Sequence, residues 1–493
     1  MKHWLAKRIL AASLSAALLL GGAAAWPDTS SADEAAPRTS TREVVFDIDR
    51  GSVSVNGRAP ATTYPMTIHN GRVYVAARQL AEAFGFTAEY DPKSYDAVLR
   101  NDETRIHVNQ GAMQAWVNDM PAPFDGLGLV KDGRLLLSIR AIADYMGLYV
   151  GYDPVARKAT VADPEFPFAK PVNPAEPNFV PIDFARYGAY PLVAATATPD
   201  ASSRTLLFSD SPETFREFGV LYRDEVDGDA RLFLTHVNGM KAAATVGWLA
   251  TNESDAPVTV AFTRQGVAAR SKDYAKQGRE ALAAWLAGGA EDRRTVGPGE
   301  TVVLYRTEPL SPMDGAHAVF DVTTDGALRF DVVAAPASEP LAVARSTPFA
   351  ARDIHDRGTF PVSEIRLTAD AAEWEPGEPA RIRIGAVGSL SGHYAVGTDA
   401  VTGEPAQNFG NYGVIYRLKI ESPGKAAFVL VPLRGLYMGA VKFDGDVVKT
   451  DALHVGEGYA IGRTSGAEAS VELELGAASG SFMPFEVLVV PLP

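Results

Sequence analysis

The sequence predicts an α+β N-terminal block followed by a mainly-β half built as two β-sandwich modules. Three observations predict it. A unit near the start recurs in register 62 positions later, short alternating apolar runs separated by Gly, Asn and Asp turns fill most of the remaining chain, and residues 218–223 are echoed at 412–417. A period of this size marks a supersecondary unit that packs on its twin.

Lys2, Lys7 and Arg8 precede an apolar run from Ile9 to Leu20 and the small residues Ala23-Ala24-Ala25. That order reads as a signal peptide over residues 1–25, because the run is shorter than the ~20 residues of a membrane span. Residues 26–43 hold Ser, Thr, Pro and acidic residues without an apolar period and read as a flexible lead-in. The chain of 493 residues has no cysteine, which excludes disulfides, thiolate metal sites and cysteine nucleophiles. Its formal charge of -14 opposes a phosphate backbone, so nucleic acid is not an expected partner.

The block spans residues 44–163. Val44, Phe46 and Ile48, then Val53 and Val55, alternate around Asp49-Arg50-Gly51, giving a strand, a turn and a strand. Asn70-Gly71 and Asp132-Gly133 tolerate positive φ and mark tight turns. Ala77, Leu80, Ala81 and Phe84 then take helical spacing, as do Ile139, Ile142, Ala143 and Met146, and Gly85 and Gly147 supply the stops. Short strands come after each glycine, leading to Tyr90-Asp91-Pro92 and Tyr152-Asp153-Pro154.

Asn56-Gly57, Asn70-Gly71-Arg72, the helical Arg78 and Arg140, and the two Tyr-Asp pairs resemble the copper amine oxidase N-terminal domain. The resemblance implies a small sheet-and-helix stalk unit, present here as two copies, which occurs in secreted Gram-positive proteins that carry no oxidase. The chain departs from the family pattern in having Ala77 and Ile139 before the helical arginines and Tyr90 and Tyr152 in place of Trp.

Six prolines lie between Pro164 and Pro181 in a linker over residues 164–182, either an extended strut or a strap pinned by Phe166, Phe168 and Phe179. Beyond it, apolar runs at 206–208, 219–223, 230–237, 244–250 and 258–262 predict a sandwich over residues 183–345, interrupted by a helix from Ser271 to Leu286. The echo of Phe218-Gly219-Val220-Leu221-Tyr222-Arg223 in Tyr412-Gly413-Val414-Ile415-Tyr416-Arg417 predicts a related module over residues 346–493.

Oxidase chemistry would need a Tyr followed by an acid and a His-x-His pair. Tyr412 is followed by Gly413, and no two of the eight histidines stand two or four places apart. No zinc-protease helix, nucleophile elbow or phosphate loop is present either, so no catalytic, cofactor or metal residue is assigned. The acidic run from Asp224 to Asp229 does not fit a calcium loop and reads as a solvated hairpin. Tyr222, Arg223, Tyr416 and Arg417 are the candidate binding residues, a stacking face for sugars, against the alternative that each Arg merely covers a packed Tyr. Arg78 and Arg140 read as structural donors.

The expected protein is a secreted or wall-associated, non-enzymatic one. Its stalk supports sandwich modules that bind a cell-wall polymer or another surface protein, without a cofactor and without a transmembrane segment once the leader is removed. The alternatives are a secreted hydrolase of polysaccharide, whose paired carboxylates need only spatial proximity, and an accessory or inhibitor of a secreted enzyme. Ligand identity and oligomeric state stay open.

Overall fold

In the first block the Asn-Gly and Asp-Gly turns do what their chemistry allows. Gly71 (φ 73) joins strand Thr67–His69 to Arg72–Ala76, and Gly133 (φ 70) joins Gly128–Lys131 to Arg134–Ser138. These features come from a computed structural model that describes residues 43–492, except 59–65, 70, 92, 102–103, 112, 118–119, 123–126, 132, 163–189, 194, 290–291, 354, 370–374, 376–377, 386–393 and 456. The leader, the lead-in up to residue 42 and the proline-rich linker therefore lie outside the described residues.

Helix α1 (Ala77–Phe84) and helix α2 (Ile139–Tyr145) come directly after the second strand of each hairpin. Gly85 closes α1 in the left-handed conformation (φ 72, ψ 27), and Gly147 (φ 69) lies two residues past the end of α2. Neither helix is long enough to persist alone in water. Leu80, Phe84, Ile139 and Ile142 are buried in one core with Phe46, Ile106 and Leu137, which supplies the missing stability.

Each strand between Glu43 and Arg100 has a counterpart 62 positions on, yet the pairing exchanges the two halves. Glu43–Asp47 pairs with Lys158–Ala162, and Arg105–Asn109 pairs with Asp96–Arg100 in the equivalent register. The opening hairpin of each half is thus completed by the closing hairpin of the other. Between them Val75 faces Leu137, flanked by Tyr74–Ser138 and Ala76–Leu136, so a pseudo-twofold axis passes through that pair. Neither half can close its sheets by itself.

The rest of the chain is mostly strand, in two sandwiches. One sheet of the first has the order Asp292–Val296, Val258–Val267, Gly315–Thr324, Asp229–Asn238, Thr205–Ser209; its facing sheet is Gly219–Val226, Leu328–Pro336, Ala244–Thr251, Thr301–Arg306. Leu207, Leu232 and Phe320 from one sheet meet Leu221, Trp248 and Val332 from the other. In the second sandwich the corresponding orders are Asp446–Lys449, Ala440–Phe443, Ser470–Leu475, Ile415–Glu421, Glu364–Ala369, and Ala380–Ile384, Phe485–Pro491, Ala426–Pro432, Tyr459–Arg463. The two orders agree position by position, including one parallel pair in each.

That topology corrects the alignment behind the expected kinship of the sandwiches. The Arg417 strand occupies the place of the Arg231 strand, not of the Arg223 strand. Arg231 lies opposite Asp321 and Arg417 opposite Glu474, so the matching signal is Arg231-Leu232 with Arg417-Leu418. The longer echo at 218–223 and 412–417 joins strands of different rank in the fold. Alternating buried strands draw on the same few residue types, which makes such an echo cheap.

Sheet membership crosses residue 345 in both directions. Arg357–Phe360, Val396–Asp399 and Glu404–Gln407 extend the first sandwich, while Leu192–Val193 and Ala195–Pro199 border the second. Helix α3 (Tyr274–Leu286), capped by Asp273 accepting from the Lys276 N–H, packs between strands of both. The short helix α4 (Leu341–Ala344) covers Leu249 and Val333.

Candidate functional site

Of the four residues expected to form a binding face, the two tyrosines are buried and the two arginines are partly exposed and ion-paired. Tyr222 is fully buried, with its hydroxyl 2.7 Å from that of Thr359. Arg223 pairs with buried Asp331, donates to the Arg345 carbonyl at 3.2 Å and lies 5.4 Å from the Phe349 ring centre. Tyr416 is buried and accepts from Asn411 at 2.7 Å. Arg417 donates to Glu364 at 2.7 Å and lies 3.4 Å from Glu474. Burial pushes the hydroxyls of both tyrosines far above their ordinary range.

Arg417 belongs to a charge network between the sandwiches. Arg231, 1% exposed at its side chain, makes a two-pronged contact with Asp321 (2.7 and 2.9 Å) and also donates to Glu364 (2.9 Å) and to the carbonyls of Ser363 and Gly413. Its guanidinium stacks 4.2 Å above the Trp285 ring. Burial would lower its pKa, but Asp321 and Glu364 outweigh that and raise it. Gly413, where an oxidase would need an acid, has φ 78, and a Cβ there would sit 3.0 Å from Leu206. The residue is required by the approach of the two sandwiches. Of the helical arginines, Arg140 donates to the Val150 carbonyl at 3.1 Å and Arg78 is exposed. In the acidic run, Asp229 is held by Arg204 at 2.8 Å and Asp224 accepts from Thr359.

The chemistry collects elsewhere, in a cleft of about 790 Å³ where the N-terminal block and both sandwiches meet. The block contributes Arg72, Met113 and Gln114. The first sandwich contributes residues between Asp210 and Arg216, then Asp353, His355 and Asp356, and the start of α3, and the second contributes residues between 409 and 412 and between 479 and 483. At the wall His355 is clamped: Nε2 is 2.6 Å from Glu213 and Nδ1 is 3.1 Å from Asp353. Asp353 is positioned in turn by the Ser211 hydroxyl (3.0 Å) and by the Glu213 N–H (2.9 Å). Behind the wall, buried His236 bridges the Ser209 hydroxyl and the Pro212 carbonyl, both at 2.9 Å.

These contacts set the protonation states. Burial would strip His355 of its charge, but Glu213 and Asp353 outweigh it and hold the ring as an imidazolium well above its ordinary range. Burial works against the Asp353 charge as well, and the hydrogen bonds from His355 and Ser211 reverse that, leaving its carboxyl below the usual range. Asp210 goes the other way. Half-buried at the cleft, it loses hydration, and Glu213, Asp353 and Asp356 add repulsion that His355 only partly offsets, so its pKa lies well above the carboxylate range. Burial lifts Asp356 to about 6 against Arg352 and the Phe409 N–H, and it lowers His236 to about 4. The wall therefore places a carboxyl of raised pKa beside the His355 ion-pair cluster. Among the described residues no group of His, Asp and Glu is arranged to hold a metal ion.

This site was not legible from the sequence. Asp210 and His355 are separated by more than a hundred residues, and neither Ser209–Glu213 nor Asp353–Asp356 matches a known spacing. The faint signal is the density of acids around one histidine in Asp353-Ile354-His355-Asp356.

Residues 36–161 match the copper amine oxidase N-terminal domain family. The match covers the exchanged block and stops short of both sandwiches. No curated protein matches the chain. Among solved structures, the crystal structure of PBSX exported protein XepA aligns with 60% of this chain and 86% of its own, at 10% identity and a TM-score of 0.12, too loose an overlap to bear on fold or function. No helix among the described residues is long and apolar enough to cross a membrane.

Proposed function

We propose that the chain is an exported, non-enzymatic protein of the cell envelope. In this reading residues 1–25 are a signal peptide, and residues 44–163 are two copies of the amine oxidase N-terminal domain without the oxidase. That block supports the paired sandwiches, which engage a wall polymer or a surface protein. The observation that carries this reading is the way the block is seated on the second sandwich. Asp144, at the end of α2, accepts from His454 at 2.9 Å while its carbonyl accepts from the Gly435 N–H at 2.9 Å, and Tyr145 meets the Phe482 ring edge-on at 5.3 Å. A support must be fixed to what it presents, and these contacts fix it. Fractionating cells that express the full chain tests the reading: the mature protein is expected in the wall or culture fluid, starting after residue 25. Retention in the cytoplasm with an intact leader would overturn it.

A second reading, hydrolysis of polysaccharide, is favoured by one observation: Asp210, its pKa raised, stands near Glu213 and Asp353, the two ion-pair partners of His355. That split suits a general acid and a base. Release of reducing ends from wall polysaccharide, abolished in Asp210→Asn, would establish it, and no release would sink it.

A further inference from the structure

We propose that the cleft between the block and the two sandwiches binds a short, uncharged, polyhydroxylated ligand, a stretch of neutral glycan, with Asp210 as its hydrogen-bonding anchor. The volume of about 790 Å³ is that of a ligand-sized site rather than a packing defect. Its lining carries both signs of charge: Arg72, Arg216 and Lys272, with Asp273, and His355 held between Glu213 and Asp353. A strongly charged ligand would meet repulsion wherever it lay, whereas a neutral one satisfies donors and acceptors of both kinds. Tyr274, Phe409 and Phe482 add apolar ring surface between these polar groups. Alternating C–H faces and hydroxyl edges are what a sugar ring offers to such a lining.

Asp210 is placed to anchor such a ligand. It lines the cleft, and none of the described residues makes a hydrogen bond to its carboxyl. A carboxyl accepts from sugar hydroxyls through either oxygen, so Asp210 can pair with a hydroxyl-rich ligand. A half-buried carboxyl with no hydrogen-bond partner among the described residues is free to accept a hydrogen bond from a ligand.

The site deepens the envelope reading by naming what is bound there, but its test stands apart from it. Purified full-length chain is titrated calorimetrically with chitotetraose and cellotetraose, and with tetralysine and a sulfated tetrasaccharide as charged probes. At least one neutral probe is expected to bind and the charged ones not. Asp210→Asn, which still donates and accepts, is expected to keep the affinity within about threefold. Asp210→Ala is expected to lose at least tenfold, with its thermal unfolding compared to the native chain's. Arg72→Ala, an exposed lining residue supplied by the block, is expected to weaken binding without touching the acidic cluster, which keeps the test decisive if the alanine variant at 210 folds poorly. Binding of a charged probe alone, binding of none, or full affinity with both Asp210→Ala and Arg72→Ala would overturn the site. Wall association that survives Asp210→Ala in cells would overturn the cleft and leave the envelope reading standing.

Discussion

The two sandwiches share one topology and spend it differently. In the first, the arginine at the equivalent position, Arg231, is sealed at 1% exposure and grips Asp321 and Glu364; in the second, Arg417 keeps 20% exposure and shares Glu364 and Glu474 with other cations. The first also buries two neutral histidines, His236 and His317, whereas the second keeps His454 partly exposed and uses it to seat the N-terminal block. One strand order therefore supports two jobs. The first sandwich builds the titratable wall of the cleft, and the second holds the block in place.

The sharpest way to break this comparison is to remove the paired arginines. Arg231→Met leaves Asp321 and Glu364 buried without their main counter-charge and is expected to cost ~3–5 kcal/mol in denaturant unfolding. Arg417→Met is expected to cost about 1 kcal/mol, since Arg231 still covers Glu364 and Arg264 at 3.1 Å still covers Glu474. Equal losses would show that the two positions are not differentiated.

Acid should separate the sandwiches next. Burial depresses His317 from 6.5 to about 3, and its Nδ1 has no hydrogen-bond partner. A base with a lowered folded-state pKa binds fewer protons folded than unfolded, so its contribution is present above pH 6.5 and is lost as pH falls toward 3. Partly buried carboxyls such as Asp356, raised to about 6, act in the opposite sense and gain stability as pH falls. The comparison with His317→Phe removes that background. The variant is expected to gain on the native chain by about 1.4 kcal/mol per pH unit across this window, while a flat difference would show that His317 is not buried as a neutral ring.

The smallest effects test the seating of the block. Asp144→Ala removes the contact with His454 and is expected to cost about 1–3 kcal/mol. Glu82→Ala, 62 positions earlier and exposed, is expected to change stability by less than about 0.5 kcal/mol. Hydrogen exchange at the Gly435 amide reads the same difference locally: faster exchange in the first variant, no change in the second.

Much of the block was readable because its determinants are local. Gly71 and Gly133 permit the positive φ of their turns, Leu80, Phe84, Ile139 and Ile142 set the helical face, and the register of 62 carries one half's elements onto the other's. The strands at 244–251 and 258–267 likewise announced themselves by alternation or by apolar runs between turns.

What sequence could not order is which strand meets which. The exchange of hairpins between the halves, the equivalence of Arg417 with Arg231 and the gathering of Asp210, Glu213, Asp353 and His355 all join residues distant along the chain. Local chemistry selects turns and strands, because each depends on a few consecutive residues. Charge, by contrast, depends on what surrounds it: a carboxyl such as Asp210 is an ordinary acid in the sequence, and its pKa rises only once the fold sets it half-buried near Glu213, Asp353 and Asp356. The order of residues was enough to set the elements of this protein and the kinship of its first block, whereas the place of its polar chemistry was settled only when distant strands came together.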